Sequence, residues 1–107
     1  MKTQIKKGLL DICVLASLIE DDSYGYKLLQ DTQALVQVSE STLYPILRRL
    51  EKAEYLRSYS LEHQGRLRKY YQITPQGQKQ IKDFLDEWQD IDKVYQFIKG
   101  RFNDEQK

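Results

Sequence analysis

Between Ile81 and Phe102 the large apolar residues advance by 3, 4, 3, 4, 3 and 4: Ile81, Phe84, Trp88, Ile91, Tyr95, Ile98 and Phe102. This is a heptad seam about three heptads long, broadened by Leu85 and Val94 and flanked by Lys, Asp, Glu and Gln. A strand has period two and cannot keep such a stripe on one side. Thr74-Pro75 supplies the start, with Thr as N-cap and Pro at the first helical position, where its missing donor is no loss. At ~1.5 Å per residue the helix is roughly 40 Å long, too long to pack wholly on a small domain. With 107 residues the chain is one domain's length. The seam therefore predicts a dimerisation helix over 74–103, with a disordered tail at 104–107.

The first helix, about Ile5 to Glu20, has the same problem of cover. Leu9, Leu10, Ile12, Cys13, Val14, Leu15, Leu18 and Ile19 point nearly all round it. A helix apolar on every side must be covered on several, and a second chain is expected to help. Leu9 and Cys13 thus join Ile81, Phe84, Trp88, Ile91, Tyr95 and Ile98 as expected dimer-interface residues. Lys2, Lys6 and Lys7 before "GLLDICVLASLI" imitate a secretion signal, but Asp11 interrupts the apolar run and the run is too short to span a bilayer. It reads as a core helix. Cys13 is the single cysteine, so no intramolecular disulfide is possible, and its apolar neighbours suggest a buried small hydrophobe in a reducing compartment.

Between these helices the period changes. "SYGYKLLQDTQALV" reads as a second helix with Ser23 as N-cap and Leu28, Leu29, Thr32, Leu35 and Val36 as its inner stripe. Ser39 caps a third, Glu40 to about Glu54, after a link of a few residues, a helix-turn-helix spacing. Then "YLRSYSLE" and "RLRKYYQIT", separated by "HQG", read as a β-hairpin with Gly65 in the turn. The expected fold is mainly α with a small β-hairpin: a winged helix-turn-helix over 1–73 and the long C-terminal helix.

Overall charge is only +1, but residues 39–73 hold seven Lys or Arg against four Glu. A charge concentrated there matters more than the total. At 100° per residue, Leu43, Ile46, Leu47, Leu50 and Ala53 share one side of the third helix. Ser41, Pro45, Arg48 and Lys52 share the other, flanked by Thr42, Tyr44 and Arg49, while Glu51 and Glu54 lie off the midline. Hydroxyls can donate to phosphate and Arg can donate two bonds to a guanine edge. On the hairpin, Gly65, Arg66, Arg68 and Lys69 suit a flanking backbone or minor-groove contact, with Tyr71 and Ile73 facing inward. Tyr24 and Gly25 open the second helix, whose free amides favour an anion. A solvated charged face is the bland alternative. No Ser-His-Asp set, Gly-rich phosphate loop or Cys/His metal spacing occurs, so neither enzyme activity, cofactor nor metal is expected.

"SYGYKL", "STLYPILRRLEKAEYL", "GRLRKYYQIT" and "TPQG", in this order and spacing, resemble the PadR family of bacterial winged-helix transcription regulators, most like its short subfamily. The resemblance spans roughly residues 5 to 100. It implies a cytoplasmic homodimer whose last helix packs on the partner's first helix and which represses transcription from an inverted-repeat operator. It places Ser41, Thr42, Tyr44, Pro45 and Arg48 on the reading helix and Gly65, Arg66, Arg68 and Lys69 on the wing. Many members have Gly-Gly or Gly-Pro at the wing tip, where this chain has Gln64-Gly65. Some relatives respond to small aromatic compounds, and Trp88, on the dimer helix, could stack on one. The rival expectation is a winged-helix protein-interaction or ligand-binding module with only weak DNA affinity.

Overall fold

The computed structural model describes residues 3–105, in the order α1 (Thr3–Ala16), β1 (Ser23–Tyr24), α2 (Gly25–Gln33), α3 (Glu40–Lys52), β2 (Leu56–His63), β3 (Arg66–Ile73) and α4 (Pro75–Glu105). The molecule is mainly helical with a small antiparallel sheet, a winged helix followed by one long helix.

The core forms where α1, α2 and α3 cross. Leu10, Val14, Leu15 and Leu18 from the α1 region meet Leu28 and Leu29 of α2 and Leu43, Ile46, Leu47 and Leu50 of α3. Leu56 and Tyr71 close it from the sheet. Each fully buried leucine removes enough apolar surface from water to contribute about 1.5–3 kcal/mol. The α3 stripe is the one its 3-4-3 spacing predicts. Pro45 lacks the donor that would bond the Ser41 carbonyl, yet the helix runs unbroken, because Pro45 is on the exposed side.

Several elements differ from the sequence reading. Helix α1 stops at Ala16, short of Glu20. Ser17 bonds the Cys13 carbonyl with both its amide (3.0 Å) and its hydroxyl (2.7 Å), and Leu18 and Ile19 tighten to i→i−3 bonds. Glu20, Asp21 and Asp22 follow, and acids are unfavourable at a helix C-terminus. The incomplete cover of α1 within the chain, in contrast, is what the sequence reading expects: Leu9, Ile12 and Cys13 are half-buried, and Ile19, just beyond the helix, is exposed. Ser23 is not an N-cap. It is buried in β1, paired with Tyr71, and the cap position falls to Tyr24, which makes no side-chain cap bond. Leu35 is exposed because α2 has ended before it. Helix α4 continues through Asp104 and Glu105, where the sequence reading places a tail; the rest of that tail lies outside the described residues.

The sheet order is β1-β3-β2, antiparallel throughout, with β2 and β3 in register from Leu56↔Ile73 to His63↔Arg66. The wing tip is the two-residue loop Gln64-Gly65, with φ of 52° and 80°. Two left-handed residues in a row suit the type I′ turn, whose twist matches that of the strands.

The base of the wing fixes both neighbouring helices. Helix α3 ends in a Schellman motif: Tyr55 N–H donates to Leu50 O and Glu54 N–H to Glu51 O, with Glu54 left-handed at φ 65°. Thr74 Oγ1 then donates to the Glu54 carbonyl (2.6 Å) and accepts from Gly77 N–H (3.1 Å), while Thr74 N–H donates to Tyr55 O (3.1 Å). Thr74 is thus the N-cap its sequence predicts, and it also bolts α4 to α3. Gly77 is required by close approach: a β-carbon there would press into the Tyr55 carbonyl and lie 2.7 Å from Ile73 Cγ1. Beyond this junction α4 packs along α1 through Ile81 and Phe84, and then leaves the domain; Leu85, Ile91, Val94, Ile98 and Phe102 are all more than half exposed. We expect Gly77→Ala to destabilise the fold by about 1–3 kcal/mol, read as a lower denaturant midpoint with unchanged slope.

Candidate nucleic-acid interface

The outward side of α3 carries Ser41, Thr42, Tyr44, Pro45, Arg48 and Lys52, all exposed. Its first turn is a hydroxyl cluster. Ser39 Oγ lies 2.9 Å from Ser41 Oγ and 3.2 Å from Thr42 Oγ1, so Ser39 occupies the cap position without bonding an amide. These hydroxyls sit where the positive end of the helix dipole faces solvent.

Tyr44 turns sideways, toward the start of α2. A β-carbon on Gly25 would lie 2.7 Å from the Tyr44 hydroxyl and 2.8 Å from its Cε1, so the phenol occupies the space that glycine leaves. The wing completes the other wall. Tyr24, Gly25 and Tyr44 face His63, Gln64, Arg66 and Lys69 across an open cleft of about 840 Å³. The structure thus brings Tyr24 and Gly25, Tyr44 of α3, and Arg66, Arg68 and Lys69 of the wing around one cleft.

The cations there are not equivalent. Among the described residues, Arg48, Lys52 and Arg66 enter no ion pair. Arg49 is turned away: its Nη2 donates to Asp11 Oδ1 of α1 at 2.7 Å, and the structure does not bring it to the α3 outer surface with Arg48. Lys69 is on the inward face of the wing, 3.4 Å from Glu51 Oε1, and Ser58 donates to the other oxygen of the same carboxylate. Arg68 lies with its guanidinium carbon 4.1 Å from the centroid of the Tyr24 ring. Tyr71 and Ile73 face inward as alternation predicts; Tyr71 is buried, and burial is the first cause that raises its phenol above the ordinary value. Sequence reasoning missed Arg57, exposed on β2, and Leu67, the most exposed large apolar side chain of the wing at 78%. Arg57 had a signal, a cation on an alternating strand; nothing in the sequence marks Leu67 as outward.

The expected interface residues lie on two elements. Leu9 and Cys13 are half-buried on α1, and burial pushes the Cys13 thiol up, away from reactivity. On α4, Ile81 and Phe84 are half-buried, while Trp88, Ile91, Tyr95 and Ile98 are open to solvent. The Phe84 and Trp88 rings stack at 5.6 Å. Among the described residues, no three His, Cys, Asp or Glu side chains are placed to hold a metal ion, and no helix is long and apolar enough to cross a membrane.

A profile of the "Transcriptional regulator PadR-like family" matches residues 14–83, from the last turn of α1 into the first turns of α4. A protein of Lysinibacillus sphaericus is 33% identical over 106 residues, covering 94% of this chain and 97% of its own. The crystal structure of a transcriptional regulator from Clostridium thermocellum superposes with a TM-score of 0.79 at 37% identity, covering 89% of this chain and 94% of the other. A PadR family transcription regulator from Clostridium difficile gives 0.76 at 31%, covering 83% and 97%. The chain belongs to the PadR-like family. It is accordingly a DNA-binding transcriptional regulator and not an enzyme.

The PadR-like motifs now have physical reasons in this chain. In "SYGYKL" the glycine admits the Tyr44 phenol, and in "TPQG" it admits the Tyr55 carbonyl. In "STLYPILRRLEK" alternate sides make core and outer surface. Gly25→Ala is expected to displace Tyr44 from the α2 start, costing about 1–3 kcal/mol of stability. Tyr44→Ala in the same chain should restore most of it, since the clash partner is then gone. Thermal melts of the two single variants and the double variant give the comparison.

Proposed function

We propose that this protein is a cytoplasmic homodimer that represses transcription by binding an inverted-repeat operator, with α3 in the major groove and the wing on flanking backbone. The observation that carries this is that Arg48, Lys52 and Arg66 are exposed and enter no ion pair among the described residues, with the exposed Ser41, Thr42 and Tyr44 hydroxyls on the outer side of the same α3 that carries Arg48 and Lys52. On this reading Arg48 contacts base or phosphate, and Lys52, Arg66 and Lys69 contact phosphate. Gly65 lets the wing tip turn close to the backbone. Pro45 offers a flat apolar surface beside Arg48. Arg49 contributes through α1, by its bond to Asp11, rather than by direct contact.

Dimerisation rests on the uncovered seam. Five seam positions in heptad spacing, Trp88, Ile91, Tyr95, Ile98 and Phe102, remain exposed on a helix of 31 residues that packs on the domain only through its first turns. In a dimer built on this seam and on the half-open face of α1, two α3 helices can meet successive major grooves about 34 Å apart. Trp88, 44% exposed and stacked on Phe84, is the side chain on which an aromatic effector would rest.

Two measurements test this. In gel shifts on the protein's own promoter, Arg48→Ala should weaken binding by about 1–3 kcal/mol, five- to hundredfold. Arg49→Ala should leave affinity near wild type and lower stability by at most about 1 kcal/mol, as an exposed ion pair allows. Equal binding by wild type and the Arg48 variant would remove that face from the interface. In sedimentation at micromolar concentration the wild type should be a dimer, and Ile91→Glu with Ile98→Glu a folded monomer.

A further inference from the structure

The outer face of the sheet carries one tyrosine from each strand in a single row. Tyr24 of β1 and Tyr59 of β2 both pair in register with Tyr70 of β3. The Tyr24 ring meets Tyr70 edge-on, with centroids 5.7 Å apart and planes at 74°. Tyr70 stacks on Tyr59 at 5.7 Å and 13°. The Tyr59 hydroxyl donates to Asp22 Oδ2 at 2.5 Å, and that bond is the first cause holding its phenol above the ordinary value. Asp22 immediately precedes β1, so the row closes on the strand from which it starts. At the other end of the row, Arg68 lies over the Tyr24 ring, its guanidinium carbon 4.1 Å from the centroid.

A guanidinium has all five donors in its plane. Stacking uses its face and leaves the N–H edge free, an arrangement suited to a phosphate. By alternation alone Arg68 belongs to the face of the wing away from Lys69. That is the face of Tyr70 and of its in-register partner Tyr24, and there Arg68 lines the cleft with Tyr44 and Arg66. We propose that Tyr24 is a positioning residue for Arg68: its ring holds the guanidinium flat, with the N–H edge toward a backbone phosphate, and the Tyr70-Tyr59-Asp22 row holds the ring. The inference rests on the DNA-facing surface proposed above. It assigns Tyr24 an indirect part, where a direct contact was the simpler expectation.

The test uses the full-length protein and a duplex that the wild type selects from a random-sequence pool, with affinity measured as a function of salt. Arg68→Ala should lower the slope of log affinity against log salt by about one. Tyr24→Leu should lose roughly two- to thirtyfold in affinity and show the same drop in slope, because the cation disengages. A mere loss of stability lowers the active fraction and leaves the slope alone. Tyr24→Phe should bind within about twofold of wild type, since phenylalanine keeps the π-face. The Tyr24→Leu, Arg68→Ala double variant should bind no more weakly than Arg68→Ala. Tyr59→Phe, which keeps all three rings and removes only the Asp22 bond, should cost affinity in wild type and nothing beside Arg68→Ala; this holds even where Tyr24→Leu does not fold. Additive losses overturn the positioning role while leaving the DNA reading intact. So does a Tyr24→Phe loss as large as that of Tyr24→Leu, which would mean the hydroxyl makes the contact itself. Failure of the wild type to select any duplex overturns both.

Discussion

The backbone of Gly77 rests against the Tyr55 carbonyl more closely than any side chain would permit, and three parts of the molecule take their direction from that contact. Tyr55 follows α3 and precedes β2; Thr74 ends the wing and starts α4. The Schellman bonds from Tyr55 and Glu54 end α3, and the Thr74 hydroxyl bonds the Glu54 carbonyl to the first turn of α4. Helix α3, the wing and α4 therefore leave one knot of hydrogen bonds, from the backbone and the Thr74 hydroxyl, at set angles. Such bonds fix direction more sharply than apolar contact, which is non-directional. Glu54, a non-glycine residue held left-handed, marks strain of order 1 kcal/mol that this knot sustains.

Periodicity made the four helices and the hairpin legible, because each buries one stripe of side chains and its spacing records that. The Thr74 cap and the α3 stripe from Leu43 to Leu50 are where the pattern places them. What the pattern could not show were contacts set by tertiary approach. β1 is two residues long, too short to have a period, and it took Ser23 from the role its residue type suggests. The early end of α1 depends on local competition by Ser17. Gly25 and Gly77 are visible as glycines, but the atoms that require them, in Tyr44 and Tyr55, come from elsewhere in the chain. On the site, one face of α3 was legible as a surface. The separation of Arg48 from Arg49 was not, since it turns on Asp11, 38 residues away.

That separation changes how the local charge acts. Residues 39–73 carry seven cations, but acids occupy some of them: Asp11 engages Arg49 and Glu51 engages Lys69. Each cation so engaged releases less counterion from a nucleic-acid backbone than a free one does. Two of the seven are engaged in this way and five are in no ion pair among the described residues, so the local charge available to a phosphate backbone is somewhat below the formal count.

The same logic bears on the proline within α3. Pro45 removes a backbone bond from the reading helix, and in isolation that is a cost of order 1 kcal/mol. Its carbonyl partner, Ser41, is on the exposed side and can turn to water, so no buried acceptor is orphaned. The core stripe on the far side keeps every apolar contact. A helix held by its buried face and by the knot at its C-terminus can tolerate a missing bond near its N-terminus. In a PadR-like protein that end, with Ser41, Thr42 and Tyr44, is the part of α3 exposed beside the wing. The hydrogen-bonded C-terminal end of α3 fixes the direction of the helix, and Pro45 is accommodated on its exposed side.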